Sequence, residues 1–298
     1  MLLDAGNALF RAPGSNAPAE LERARFILKA SGAMGTKALA VGQKDLLGGV
    51  PFLVDEAKKA QVPLVSTSLR AKDTGKPLFP TSLVFTHEGV KVALMATSGL
   101  GDVPGVPNVT SLNAIEALSA ELPKLPARDL TVVVATGGYL EAMAIAEQLS
   151  GKVDLVVQSG EYRGSAPPQR VRDAFVLASG DRGRALAVLT LGLAGKKGVF
   201  TDLNEASRDE ELLANLDRQL TSVDERMSKA TDVESKKALA SLRNDMKARR
   251  DEQAKKVKQL VSGRTLKLDW YMLGPDVPDD EALKKETLPI EPSYAGSH

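Results

Sequence analysis

Leu2-Leu3-Asp4-Ala5-Gly6-Asn7 and, further along, Ala38-Leu39-Ala40-Val41-Gly42-Gln43-Lys44-Asp45 share one pattern: a short apolar run that breaks at a glycine followed by polar residues. Such a run, bounded by glycine, reads as a strand ending in a turn. Between the two, Ala19–Ala30 carries Leu21, Ala24, Ile27 and Leu28 on one face, the spacing of an amphipathic helix. The alternation continues. Strands are expected at Leu64–Ser68, Ser82–Thr86, Val90–Ala96, Leu130–Ala135, Val153–Gln158, Phe175–Ala178 and Ala185–Leu191, and helices at Leu46–Ala60, Leu112–Leu122 and Leu140–Leu149. Strands and helices in turn over residues 1 to about 195 predict an α/β domain. Ser82–Thr86 and Val90–Ala96, joined by His87-Glu88-Gly89, read as a hairpin with glycine at a positive-φ position and His87 as an exposed turn residue. Gly195-Lys196-Lys197-Gly198 reads as a turn, because it lacks the Ser/Thr and the glycine spacing of a phosphate loop.

Composition changes after Leu203. Residues 204–262 have no proline or glycine, and Leu213, Leu216, Leu220, Val223, Met227 and Ala230 follow 3,4 spacing. Thr231-Asp232-Val233-Glu234 is a capping-box sequence that starts a second helix with the stripe Leu239, Leu242, Met246, Val257 and Leu260, ended by Gly263. Two readings stay open: a helical hairpin folded on itself, or a coiled coil that self-associates or binds a partner protein. The basic run of the second helix, Lys236 to Lys258, reads as a solvated face. Thr265–Leu273 returns to strand character, and the proline-rich acidic tail holds one short helix near Asp280–Glu286.

The 298 residues carry 39 basic and 38 acidic side chains, so no overall field attracts nucleic acid or a membrane surface. Aromatics, at 4%, are too few for a base-stacking platform. With no cysteine, the chain has no disulfide, thiolate metal site, cysteine nucleophile or covalently attached haem. No apolar run approaches the ~20 residues of a membrane span, and Met1-Leu2-Leu3-Asp4 lacks the basic and apolar regions of a signal peptide. The two histidines, His87 and His298, are too few for a dinuclear centre built on imidazole.

The order of these pieces resembles the N-terminal domain of the 5′-nucleotidases, calcineurin-like metallophosphoesterases that also resemble thiosulfate-processing periplasmic hydrolases. Leu2–Asn7 resembles that family's Leu-Asp-Ala-Gly-Asp, and Ala38–Asp45 its Gly-Asn-His-Glu segment. Val62–Gly99 resembles its path through strand, loop and hairpin; Val132–Gly138 stands for Ser-His-x-Gly and Asp154–Tyr162 for Asp-x-x-x-Gly-Gly-His-x-His. Phe175–Leu193, with Ser179-Gly180-Asp181-Arg182-Gly183-Arg184, resembles the strand, glycine turn and strand that close the second sheet. The resemblance covers residues 1–195 and implies a four-layer α/β/β/α sandwich with an appended helical hairpin. The expected division is 1–200 for the metallophosphoesterase-like domain, 204–262 for the hairpin or coiled coil, and 263–298 for a strand and irregular tail.

The departures from the family pattern are systematic. Asn7 stands at the bridging Asp, Gln43, Lys44 and Asp45 at Asn-His-Glu, Thr136 at a ligand His, and Gly160 and Tyr162 at the last two histidines. The family's first strand, with its Asp-x-His, would precede Met1. Nearly every change removes an anionic or imidazole donor, and Lys44 adds a charge that repels a metal. Tyr294-Ala295-Gly296-Ser297-His298 resembles the segment ahead of a haem-binding Cys-x-x-Cys-His in extracytoplasmic multihaem proteins, and with the absent first strand this resemblance implies, as an expectation, a chain cut at both ends.

The expectation is therefore a non-catalytic scaffold or interaction domain, extracytoplasmic by resemblance and without metal or cofactor. One alternative is a working 5′-nucleotidase-type phosphoesterase completed by the missing strand. Another is a metal-free anion-binding module using Lys44, Asn7 and the glycine turns at Gly137-Gly138 and Gly160. Glu161 and Tyr162 with Lys44 form an acid–base set only if the fold positions them. Asp4 is expected to anchor its own loop, and Asn108-Val109-Thr110 is a glycosylation sequon of a kind that occurs often by chance.

Overall fold

The computed structural model describes residues 1–11, 18–161, 166–178, 180, 184–193, 198–259, 263–274 and 276–290. The chain divides into two compact units, the first formed by residues 1–188 with 270–298 and the second by residues 189–269. The expected tail segment 294–298 and the turn residues 194–197 lie outside the described residues.

Unit 1 is built on two sheets, one parallel and one parallel in its centre with antiparallel edges. The smaller joins β1 (Leu2–Asp4), β2 (Thr36–Ala40) and β3 (Leu64–Val65) in that order, all parallel. In the larger, β6 (Val90–Thr97), β9 (Leu130–Ala135), β10 (Leu155–Gln158) and β12 (Ala174–Ala178) run parallel. The antiparallel strands β5 (Leu83–His87) and β11 (Gln169–Val171) close its two edges. A third, antiparallel sheet of short strands joins β4 (Leu69–Ala71), β8 (Val109–Ser111) and β7 (Gly101–Asp102).

Helices cover the outer faces. Against β1–β3 lie α1 (Pro18–Ala33) and α2 (Val50–Lys59), where Leu28, Leu39, Val41, Leu53 and Phe10 form one core. Against the large sheet lie α3 (Ala114–Glu121) and α4 (Tyr139–Gln148), where Met95, Leu118, Val133, Ile145 and Val156 form another. On the opposite sides of the strands Ala38, Ala40 and Ala96 are buried, and these small side chains let the two sheets approach. The result is the expected four-layer α/β/β/α arrangement. Every residue of β9 is buried, as a strand covered on both faces requires. Truncating a fully buried leucine such as Leu28 costs about 2–5 kcal/mol.

Several local expectations are corrected. The helix expected over Leu46–Ala60 is a 3-10 turn (Gln43–Leu46) followed by α2, because Gly48-Gly49 ends the first and Pro51 starts the second. The helix expected from Leu112 starts at Ala114, where the Asn113 side chain accepts from the N–H of Ile115 and Glu116. The strand expected over Leu64–Ser68 stops at Val65, since Ser66, Thr67 and Ser68 turn their hydroxyls into a buried network. His87 ends β5 half-buried, so the turn is Glu88-Gly89 alone, both at positive φ (49° and 80°).

In unit 2, β13 (Ala185–Gly192) leads in from unit 1 and β15 (Arg264–Met272) leads back. Between them β14 (Phe200–Asp202) pairs in parallel with β15, and the Arg264 guanidinium stacks 4.0 Å from the Phe200 ring centroid. The helices α5 (Leu203–Lys229) and α6 (Val233–Gln259) pack against each other. Asp202 caps α5 by accepting from Asn204 N–H. The cap of α6 is Asp232, accepting from Ser235 N–H at 2.7 Å, and not Thr231. On α5 the seam runs through Leu213, Leu216, Leu220, Val223 and Met227 as expected. On α6 Leu242 faces outward and Arg243 takes the inward place, paired with Asp224; Arg250 likewise pairs with Asp217 at 2.8 Å. After β15, α7 (Glu281–Thr287) belongs to unit 1 and is capped by Asp280.

Candidate functional site

In open parallel sheets the carboxyl ends of the strands form the natural crevice, because the loops diverge there. The structure brings Asn7, Gln43, Lys44, Asp45, Thr136 and Gly160 together at those ends, after β1, β2, β9 and β10. Tyr162 lies outside the described residues.

Asp45 is the hub. Fully buried, it sits in the 3-10 turn after β2 and accepts four backbone N–H groups. Oδ2 takes those of Asn7 (2.7 Å) and Gly42 (2.8 Å); Oδ1 takes those of Ala8 (3.0 Å) and Leu9 (3.1 Å). One carboxylate thereby fixes the loop after β1 onto the loop after β2. Burial first, then the nearby charge of Asp4, push its pKa up to about 6 against the pull of these donors. Asp4 is itself raised by burial and anchors its own loop by accepting Gly6 N–H at 2.8 Å.

Asn7 ties in a third loop. Its Oδ1 accepts Lys44 N–H (3.1 Å) and its Nδ2 donates to the Thr136 carbonyl (3.2 Å). Gly160 leaves room for this, since a Cβ there would come within 2.5 Å of the Thr136 carbonyl oxygen. Gln43 turns away, donating through Nε2 to the Gly99 carbonyl at 2.7 Å. Lys44 is exposed, and its ammonium has no hydrogen-bond or ion-pair partner among the described residues.

Of the other polar groups of this edge, only Glu161 was named from the sequence, as part of an acid–base set. Glu141, in the first turn of α4, accepts the Thr97 hydroxyl (2.7 Å) and Gly137 N–H (3.3 Å), and burial raises its pKa. Glu161 accepts Tyr139 N–H at the start of α4 (3.0 Å), so it caps that helix. Beneath them Ser111 Oγ donates to the Ser98 carbonyl (2.6 Å), and Ser98 Oγ donates to the Val41 carbonyl (2.8 Å). The only cue for Glu141 is an acidic residue shortly after a glycine pair, the composition of a helix start.

No protein-family model matches the chain, and no curated protein matches it. Solved structures do. A 5′-nucleotidase precursor from Thermus thermophilus, 17% identical, aligns over 99% of this chain and 49% of its own, with a TM-score of 0.65. The sulfate thiohydrolase SoxB of Thermus thermophilus, in complex with glycerol, is 18% identical over 64% of this chain and 35% of its own, with a TM-score of 0.55. The calcineurin-like phosphoesterase YfkN of Bacillus subtilis is 16% identical over 63% of this chain and 70% of its own, with a TM-score of 0.52.

The chain has the metallophosphoesterase fold. It spans about half of the nucleotidase precursor's length and about a third of the thiohydrolase's. The metallophosphoesterase fold implies metal ions at this edge, and the residues present do not fit them. Among the described residues no group of three or more His, Cys, Asp or Glu stands where it could hold a metal ion. Both Asp45 oxygens are occupied by N–H donors, and the Asn7 oxygen by Lys44 N–H. A cation placed there would have to displace hydrogen bonds that hold the loops. No described helix is long and apolar enough to cross a membrane.

Proposed function

We propose that this chain is a degenerate 5′-nucleotidase-like domain that does no metal-dependent hydrolysis and serves as an extracytoplasmic scaffold or interaction domain. The observation that carries the reading is the condition of Asp45: the buried carboxylate at the strand ends has all four hydrogen-bonding directions taken up by the protein's own backbone. Metal-activated water is the source of this fold's hydrolytic chemistry, and activation needs anionic or imidazole donors free to bind. By resemblance, Asn7, Gln43, Lys44, Asp45, Thr136, Gly160 and Tyr162 stand where such donors belong. The proposed division, 1–200 for the degenerate domain, 204–262 for the helices and 263–298 for the strand and tail, leaves the helices as the surface for self-association or a partner protein. Hydrolysis of p-nitrophenyl phosphate and of nucleoside monophosphates, assayed with added Mn²⁺ or Zn²⁺, is expected to stay at background. Turnover that depends on the added metal would falsify the reading.

Lys44, exposed and joined to Asn7 through its backbone N–H, favours a second reading, a metal-free site for phosphate or a related anion that uses its ammonium. Calorimetry with inorganic phosphate tests it. Binding that weakens in Lys44→Ala supports it, and no heat from the parent protein ends it.

A further inference from the structure

We infer that the Asn7 carboxamide is a clamp that joins, by hydrogen bonds, the loops after β1, β2 and β9. Its two polar atoms and its backbone N–H reach residues 37, 38 and 129 positions away, at the ends of β2 and β9, while Asn7 itself follows β1. The surroundings are built to this one side chain. Asn7 sits at φ 60°, in the left-handed region where asparagine is among the few tolerated residues. Gly42 leaves the space the amide fills: a Cβ there would lie 2.3 Å from Asn7 Oδ1. Gly160, at φ 87°, would place a Cβ 2.5 Å from the oxygen of the Thr136 carbonyl to which Asn7 Nδ2 donates.

The position also selects an amide over a carboxylate. Lys44 N–H meets an acceptor and the Thr136 carbonyl a donor, and of amide and carboxylate only the amide offers one of each. An aspartate would face the Thr136 carbonyl with a second oxygen and lose that bond. Conversely, the Nδ2 hydrogens repel a cation. The clamp therefore disfavours a metal, and restoring the family's aspartate at this one position does not rebuild a metal site, because the Asp45 oxygens are still occupied.

The test is thermal unfolding of the full chain as parent, Asn7→Gly and Asn7→Asp, each in EDTA and in millimolar Mn²⁺ or Zn²⁺. Asn7→Gly removes the amide while giving φ 60° to the residue that adopts it most easily, so an idle side chain predicts a Tm at or above the parent's. The clamp predicts a fall of about 3–8 °C in Asn7→Gly, at least as large a fall in Asn7→Asp, and no response of any of the three to metal or chelator. A parent-like Tm in Asn7→Gly overturns the clamp, as does a metal that stabilises the parent or restores Asn7→Asp. Should a variant not fold, amide exchange in the parent decides: Lys44 N–H protected in EDTA supports the clamp, and rapid exchange there overturns it. A neutral Asn7→Gly would remove the clamp and leave the absence of hydrolysis standing, so the two claims fail separately.

Discussion

The carboxylate of Asp45 accepts the backbone N–H of Asn7 at 2.7 Å, so a residue that follows β2 sets the path of the loop that follows β1. With the Asn7 amide bonds to Lys44 N–H and the Thr136 carbonyl, this contact ties together the loops after β1, β2 and β9. It also sets two effects against each other in a single group: burial beside Asp4 opposes the charge on Asp45, and four N–H donors favour it.

Burial wins, and Asp45 is held at about 6, above the ordinary 3.8. A group whose folded pKa is raised contributes stability below its unfolded pKa and loses it as pH rises through the folded one. The stability of the parent relative to Asp45→Asn, from urea unfolding, is therefore expected to shrink by about 2–3 kcal/mol between about pH 4 and about pH 7. A difference that grows with pH would show that the N–H donors dominate.

Gly6→Ala is expected to be severe. At φ 77° the residue is in the left-handed region, and a Cβ would lie 2.0 Å from the Ala40 carbonyl oxygen. Gly75→Ala is the control, with φ 65° and nothing within 4 Å. Denaturant unfolding should show a loss of about 1 kcal/mol for Gly75→Ala and about 2–4 kcal/mol for Gly6→Ala. Equal losses would mean that the ends of β1 and β2 do not approach as closely as described.

In unit 2, Leu216 and Leu220 are half-buried on the seam of α5, while Lys255 and Lys256 on α6 are exposed. Replacing both leucines with Asp should cost about 2–5 kcal/mol together, or dissociate an assembly; alanine at both lysines should do neither. Unfolding curves and mass by light scattering read the two outcomes. A leucine double variant that melts like the parent and keeps its mass would show that this seam carries no packing.

Much of the α/β frame was legible, because long apolar runs such as Leu130–Ala135 and glycine-bounded helices are local patterns. The strands Leu69–Ala71, Gly101–Asp102, Val109–Ser111 and Phe200–Asp202 were not, since two or three residues cannot establish a period and their pairing is set by distant partners. The candidate positions Asn7, Gln43, Lys44, Asp45, Thr136 and Gly160 were named from resemblance, but their connections were hidden. The sequence marks Asp45 only as a polar residue near a glycine; its partners at residues 7 to 9 come from the folded chain. Arg243 and Arg250 show the same limit in reverse. A periodicity count assigns them to solvent, yet Asp224 and Asp217 draw them onto the seam.

The strand ends of unit 1 are proposed to hold no metal, and elemental analysis reads that property without an assay of activity. The full chain would be purified without chelator, equilibrated with excess Mn²⁺ and Zn²⁺, desalted, and assayed by elemental analysis. The account predicts much less than one equivalent of any transition metal per chain, unchanged in Asp45→Asn. Close to one or two equivalents per chain, falling in Asp45→Asn, would contradict it.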